Sequence, residues 1–296
     1  MMDFHDDIRE SLPADAFSRE TAEGIVDLPT PVGYGEFPPR APKVPSALHA
    51  GLIFLAFLGT QMLGGLVIGV IAASRAAASG VDLQDQSALV DAMQPLLMEY
   101  LAYGMVPIMI ACGLVVWWLT VVTAADVIRS GEPTGVGWTG FSLSGVLTGM
   151  LLGVAVCVAF IVASATLFAD FQPTTQGQLA EMGSSGGINK ILWGVVAVCC
   201  APLVEEYLFR GIMLAGLSRS LGVPTAAVIC TVVFVALHVP ELIHYWPGFF
   251  GVGGMAVVAM WMRIRTKSLG PAIGVHLGYN GLLVLLASLA PLMVEV

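Results

Sequence analysis

Long apolar runs separated by short polar stretches dominate the chain after residue 45. A bilayer core about 30 Å thick needs roughly 20 apolar residues per spanning helix. Runs that meet this need predict seven spans, at 47–74, 99–125, 143–168, 188–217, 223–240, 245–264 and 269–293. Between the first two, Leu89, Met93 and Leu97 recur at helical spacing, which predicts a separate short amphipathic helix outside the bilayer. The pattern therefore predicts an all-α, polytopic membrane helix bundle.

Composition supports a membrane protein. The chain has 296 residues, of which 57% are hydrophobic and 11% are charged, and its mean hydropathy is +0.85. Soluble domains average about 25% charged residues. The formal net charge of −9 argues against nucleic acid as a partner, because phosphate backbones attract basic surfaces. The expected surroundings are the lipid bilayer.

Residues 1–45 differ from the rest of the chain. They are rich in proline and hold nine acidic against four basic residues. No apolar core follows a basic start, so the stretch does not have the pattern of a cleavable signal peptide. We expect a disordered acidic tail in the cytoplasm. Residues 46–142 then form the N-terminal membrane helices and loops, and residues 143–296 a second part of the membrane core.

Basic residues indicate the orientation of the bundle. Short loops that carry lysine and arginine usually stay in the cytoplasm. Only Arg75 and Lys190 lie near one side of a seven-span bundle. The other side holds a larger set, namely Arg40, Lys43, Arg129, Arg219, Arg263, Arg265 and Lys267. This bias predicts a cytoplasmic N-terminus and a C-terminus outside.

Ionisable groups within the apolar runs mark a candidate site. A charge at the bilayer centre costs at least ~2.5–3.5 kcal/mol, so it usually has a partner and a function. The candidates are Glu205, Glu206 and Arg210 in the fourth run, His238 in the fifth, and His276 with Asn280 in the seventh.

Helical spacing separates the roles of these side chains. Glu206 and Arg210 are four residues apart, so they share a helix face and can form an ion pair. Glu205 is rotated by about 100° from Glu206 and remains available for chemistry. The same four-residue spacing places His276 beside Asn280. It also sets the ring of Phe234 beside His238.

Such a set can hydrolyse an amide bond. A buried glutamate and an imidazole near a water molecule form a general base. A second imidazole and a side-chain amide can donate hydrogen bonds to the developing oxyanion. Alternatively, Glu205, His238 and His276 could bind Zn²⁺, which would acidify a coordinated water. The residues do not separate the metal mechanism from the metal-independent one.

Other residue patterns have simpler interpretations. The five cysteines lie within apolar runs without ligand spacing, so we interpret them as buried packing residues. Gly145, Gly149 and Gly153 repeat every four residues, which would let one helix approach another closely.

Three motifs occur in order along the membrane core: EEYLFR (EExxxR), FVALH (FxxxH) and HLGYN (HxxxN). Over residues 145–293 the chain resembles the CPBP family of intramembrane proteases, which includes type II CAAX prenyl endopeptidases and bacterial bacteriocin-processing and immunity relatives. The resemblance implies that residues 143–296 form a catalytic membrane core.

The resemblance also implies roles. Glu205 and His238 would activate water, His276 and Asn280 would stabilise the oxyanion, and Glu206 with Arg210 would maintain the site. Family members are often described as metalloproteases, although a metal-independent glutamate mechanism is also argued for them. The expected substrate is a peptide or membrane protein, and the expected location a bacterial plasma membrane. A non-catalytic scaffold or immunity protein of the same fold, or a transporter with a proton relay, are the alternatives.

Overall fold

The computed structural model of the chain describes residues 42–82, 84–171, 187–243 and 245–294. All regular elements in these ranges are helices. They are α1 (Ala47–Ala78), α2 (Gln86–Ala124), α3 (Leu143–Leu167), α4 (Gly187–Leu221), α5 (Val223–Leu237), α6 (Val239–Leu242), α7 (Gly248–Thr266) and α8 (Leu269–Val294). The predicted tail lies outside the described residues except for its last four positions.

Five helices of the described chain are long and apolar enough to cross a membrane. They are α1, α2 (extended to Val127), α3, α4 and the first 21 residues of α8. The expected fifth span corresponds to α5, which has 15 residues and measures about 22 Å at 1.5 Å per residue. The expected sixth corresponds to α7, which is not among the five. An all-helical membrane bundle is confirmed, while the count of seven spans and the orientation stay predictions.

The prediction of a separate amphipathic helix before the second span is wrong. Residues 89–97 belong to the first turns of α2, which runs unbroken for 39 residues. Asp85 caps this helix by accepting hydrogen bonds from the amides of Ser87 and Ala88. Hydrogen bonds from the Ser87 hydroxyl, which has the larger effect, and from the Ala88 amide lower the pKa of Asp85. Two prolines inside α2 do not end it, since a long membrane helix can accommodate the lost hydrogen bonds.

Close approach of α3 and α8 depends on glycines in both helices. A Cβ atom on Gly149 would lie 2.1 Å from the carbonyl oxygen of Pro271, and one on Gly153 would lie 2.0 Å from that of Val275. On the opposing helix, a Cβ on Gly278 would lie 2.1 Å from the carbonyl oxygen of Met150. The predicted packing role of the α3 glycines is confirmed. This contact holds the helix that carries His276 and Asn280.

One end of the bundle is organised around the connection between α2 and α3. The buried Arg263 donates hydrogen bonds to the carbonyl oxygens of Gly131, Glu132 and Gly135. Arg219, near the end of α4, donates to the carbonyl of Thr134. The basic end, as we call it, therefore comprises the start of α1, the 125–142 connection, the ends of α4 and α7 and the starts of α5 and α8.

The opposite end, which we call the distal end, joins other helix termini. It comprises the ends of α1, α3 and α5 and the starts of α2, α4 and α7. Phe168, directly after α3, stacks on Phe250 of α7 with ring centroids 5.6 Å apart. Trp246 packs edge-on against Phe168 at 5.2 Å. Successive helices therefore alternate in direction between the two ends.

Replacing Gly153 with alanine should destabilise the bundle by about 1–3 kcal/mol, because the new methyl group would overlap α8 backbone. The measurement is the thermal unfolding midpoint of the purified full chain in detergent. Gly69→Ala is the matched control, since nothing lies within 4 Å of its added Cβ. Equal midpoints for the two variants would contradict the proposed role of the glycine contact.

Candidate active site

A cavity of about 460 Å³ lies inside the bundle, lined by residues of α1, α2, α4, α5, α6, α7 and α8. The four residues predicted as catalytic all line it: Glu205, His238, His276 and Asn280. The three predicted supporting residues, Glu206, Arg210 and Phe234, lie behind this wall. Chain folding therefore brings together side chains from three separate motifs.

The backbone of α4 widens on both sides of the two glutamates. π-helical turns at Val196–Cys200 and Tyr207–Met213 flank the α-helical residues Ala201–Glu206. Such turns are rare and occur frequently at functional sites. Proline at position 202 explains the first turn in part, because it has no backbone N–H to donate to a preceding carbonyl. The regular spacing that the sequence suggests for this helix is therefore interrupted in the structure.

The irregular backbone before Pro202 gives Asn280 its position. The Ala201 amide donates to the carbonyl of Val196, and residue 202 offers no amide to the next carbonyl, that of Ala197. The Asn280 amide nitrogen donates to this oxygen at 2.8 Å. Within the described residues, its second N–H and its carbonyl oxygen make no other hydrogen bond, and Asn280 lines the cavity. A hydrogen bond to α4 backbone thus orients the amide on α8.

The two adjacent glutamates lie in different environments. The side chain of Glu205 is 17% exposed and borders the cavity, whereas that of Glu206 is 0% exposed. Glu206 Oε1 accepts a hydrogen bond from Arg210 Nη1 at 2.9 Å. Arg210 also donates from Nη2 to the Ala256 carbonyl at 3.0 Å, and its guanidinium lies 4.4 Å from the ring centre of Phe234. Glu206 is therefore paired and Glu205 accessible. This difference agrees with the rotation of about 100° between adjacent residues of a helix.

His276 is held between both glutamates. Its Nδ1 lies 2.9 Å from Glu206 Oε1. A carboxylate can only accept, so this nitrogen must carry a proton. Its Nε2 faces the other carboxylate, 3.9 Å from Glu205 Oε2. The link between Glu206 and His276 joins α4 to α8 across 70 residues, and spacing along the sequence did not predict it.

His238 occupies the C-terminal cap of α5 rather than the interior of a span, as the predicted range 223–240 implied. Its Nδ1 lies 2.8 Å from the backbone carbonyl of Phe234, so this nitrogen donates and Nε2 keeps a free lone pair. The rings of Phe234 and His238 lie 4.7 Å apart, as the spacing suggested. His238 therefore presents a basic nitrogen at the cavity wall.

Sequence analysis missed three polar residues that line the cavity: Gln61, Glu241 and Tyr279. Gln61 comes from α1, and its amide has no hydrogen-bond partner within the described part of the chain. A lone amide inside an apolar helix is itself a signal of function, because its desolvation is costly. The expectation that all cysteines are buried is also wrong for Cys199, which is exposed.

The zinc alternative would use Glu205, His238 and His276 as ligands. Across the described ranges, no group of three or more His, Cys, Asp or Glu side chains is placed so that it could hold a metal ion. His276 uses Nδ1 for Glu206, and His238 uses Nδ1 for a backbone carbonyl. Each imidazole therefore keeps Nε2 for a water molecule, a substrate group or a metal ion.

A known protein family matches the part of the chain that holds the candidate site. Residues 187–282 match the family described as type II CAAX prenyl endopeptidase Rce1-like. This match supports the resemblance of residues 187–282 to the CPBP family of intramembrane proteases. The match is narrower than the resemblance over 145–293, but it includes all seven predicted site residues. No curated protein and no solved structure matches the chain.

Arg210→Met should destabilise the protein by about 3–5 kcal/mol, because it leaves the carboxylate of Glu206 buried without its cation. The thermal unfolding midpoint in detergent measures the change. Lys267→Met is the matched control. Lys267 forms an ion pair with Glu132, and the two side chains are 59% and 60% exposed. This pair should contribute at most about 1 kcal/mol to the free energy of unfolding. A midpoint for Arg210→Met as high as that of the control would contradict the structural role of the buried pair.

Proposed function

We propose that the protein is an intramembrane endopeptidase that hydrolyses peptide bonds with water activated by Glu205 and His238. The supporting observation is the convergence of four side chains, from α4, α5 and α8, on one cavity inside a membrane bundle. A volume of about 460 Å³ is within the range of ligand-binding pockets. Its walls are mainly apolar, which suits a membrane-bound peptide or a segment of a membrane protein in a bacterial plasma membrane.

Water attack begins the proposed reaction. Glu205 and His238 Nε2 accept hydrogen bonds from one water molecule between them, and Glu205 takes the proton as the oxygen attacks the carbonyl carbon. General-base catalysis of this kind contributes typically 10²–10⁴-fold. Apolar surroundings exclude competing water molecules and strengthen electrostatic interactions in the site. The nucleophile is therefore water itself, without a covalent enzyme intermediate.

Hydrogen bonds then stabilise the tetrahedral intermediate. The free N–H of Asn280 donates to the oxyanion. Nε2 of His276 donates as well, because the proposed mechanism keeps this ring as an imidazolium, protonated on both nitrogens, between the two carboxylates. The His276 ring keeps its orientation because Nδ1 is held by Glu206. When the C–N bond breaks, Glu205 returns its proton to the leaving amine. Glu206 and Arg210 act as positioning residues, since neither reaches the reacting atoms.

Glu205→Gln should lower cleavage at least ~100-fold, because the amide keeps the shape of the carboxylate but cannot accept the proton. His238→Ala should cause a loss of similar size. The assay compares membrane proteomes of cells with the parent and variant chains, and then measures cleavage of the accumulated precursor by purified protein. A non-catalytic scaffold would tolerate the loss of this carboxylate.

Glu132→Gln is the control, because its exposed carboxylate lies at the basic end, away from the cavity. It should leave the rate unchanged. Detergent-solubilised Glu205→Gln must also elute and unfold like the parent, which separates lost chemistry from lost structure. Cleavage by Glu205→Gln at the parent rate would reject the proposed mechanism.

Removal of metal ions should leave the rate of cleavage unchanged, because the proposed mechanism assigns all proton transfer to side chains. The purified protein is dialysed against a strong chelator and assayed with and without added Zn²⁺. The metal content of the active preparation is measured in parallel. Reversible loss of activity that only zinc restores would replace this mechanism with the metal-dependent alternative.

A further inference from the structure

The cavity occupies only one half of the bundle. On α4 its lining ends at Glu205, and none of the following residues to Leu221 takes part. On α8 the lining begins at His276 and continues distally to Val284. On α7 it comprises Val252 and Met255, near the distal start of the helix. On α4 and α8 the cavity therefore ends, toward the basic end, at the predicted catalytic residues Glu205 and His276. On α7 it ends at Met255.

Tightly packed side chains close the cavity toward the basic end. Leu208, Phe209 and Ile212 of α4 are 0% exposed, and Ile273 of α8 is 3% exposed. All belong to one hydrophobic core. The buried Arg263 lies beyond them and secures the 125–142 connection through three carbonyl groups. A peptide arriving from the basic end would have to separate this core.

The distal end offers access to the cavity instead. Pro240 lines the cavity and is exposed, and the neighbouring Glu241 is partly exposed. Both follow the catalytic His238 in the chain. Trp193 and Val284, which also line the cavity, lie on the distal parts of α4 and α8. The rim of the cavity is therefore built from residues at the distal end.

Charges are unequally distributed between the two ends. Among the described residues, the basic end holds Lys43, Arg129, Arg219, Arg263, Arg265 and Lys267, against the acids Asp126 and Glu132. The distal end holds Asp82, Asp85, Asp91, Glu99, Asp170 and Glu241, against Arg75 and Lys190. Lysine and arginine in short loops remain on the cytoplasmic side. The basic end is thus the cytoplasmic one, and the distal end faces the other side.

From the one-sided cavity and the segregated charge, we propose that the active site opens on the non-cytoplasmic side of the membrane. The substrates would then be peptide segments presented from that side: apolar stretches in the outer leaflet, or termini of exported proteins next to the membrane. The assignment of these substrates rests on the proposed protease function. The direction in which the cavity opens does not, because it can be measured on an inactive protein.

Cysteine labelling in spheroplasts of a bacterial expression host tests the orientation. The full chain carries Cys199→Ala, because Cys199 is exposed, and one added cysteine. Pro240→Cys tests the cavity rim, Ala78→Cys the distal end and Ala125→Cys the basic end; all three positions are exposed. A membrane-impermeant maleimide is added before or after permeabilisation, and the parent with Cys199→Ala gives the background.

We expect Pro240→Cys and Ala78→Cys to be labelled in intact spheroplasts at least about ten times more than background, and Ala125→Cys only after permeabilisation. The reverse pattern, labelling of all three positions, or labelling of none before permeabilisation would overturn the proposed orientation. If the purified parent protein cleaves no substrate but the cysteine variants show the expected labelling, only the protease function is rejected. If the parent cleaves its substrate but the variants show the reverse labelling, only the orientation is rejected.

Discussion

One carboxylate oxygen, Glu206 Oε1, connects the cation of Arg210 with the imidazole of His276. All three side chains are almost completely buried, so each needs the others to offset its desolvation. The bond to Glu206 requires a proton on Nδ1 of His276. It also directs the other nitrogen toward Glu205. The neighbouring glutamate is thereby left to face the cavity without an arginine partner.

Backbone irregularity serves the same site. Pro202 removes an amide from α4, and Asn280 donates to one of the carbonyls in the widened turn before it. On the other face of α8, glycines of α3 allow contact between the two backbones. The helix that carries His276 and Asn280 is therefore positioned from two sides. A regular α4 or a bulkier α3 would move both donors relative to Glu205.

These constraints also explain the division of the bundle into two halves. The half toward the basic end contains close-packed apolar side chains and the anchored 125–142 connection. The other half contains the cavity, whose walls come from seven helices. Since α5 ends at His238 after only 15 residues, its C-terminus places an imidazole and the following exposed Pro240 next to the cavity. A short helix thus brings the imidazole proposed to activate water close to the surface of the protein.

The sequence by itself determined the helical membrane class, the glycine contact of α3, the pairing of Glu206 with Arg210 and the position of Phe234 beside His238. These features depend on composition or on residues within one helix, where a period of 3.6 residues relates spacing to geometry.

Apolar length alone predicted that α5 and α7 are membrane spans. Neither helix is among the five that are long and apolar enough to cross a membrane. Apolar length also separated residues 89–97 from α2, because hydropathy does not reveal whether a helix continues past the bilayer. Only the tertiary structure decided that His276 contacts Glu206, that Gln61 lines the cavity and that the cavity lies on one side. Each of these depends on how distant helices pack, and packing arises from side-chain shapes and backbone contacts that no local pattern encodes.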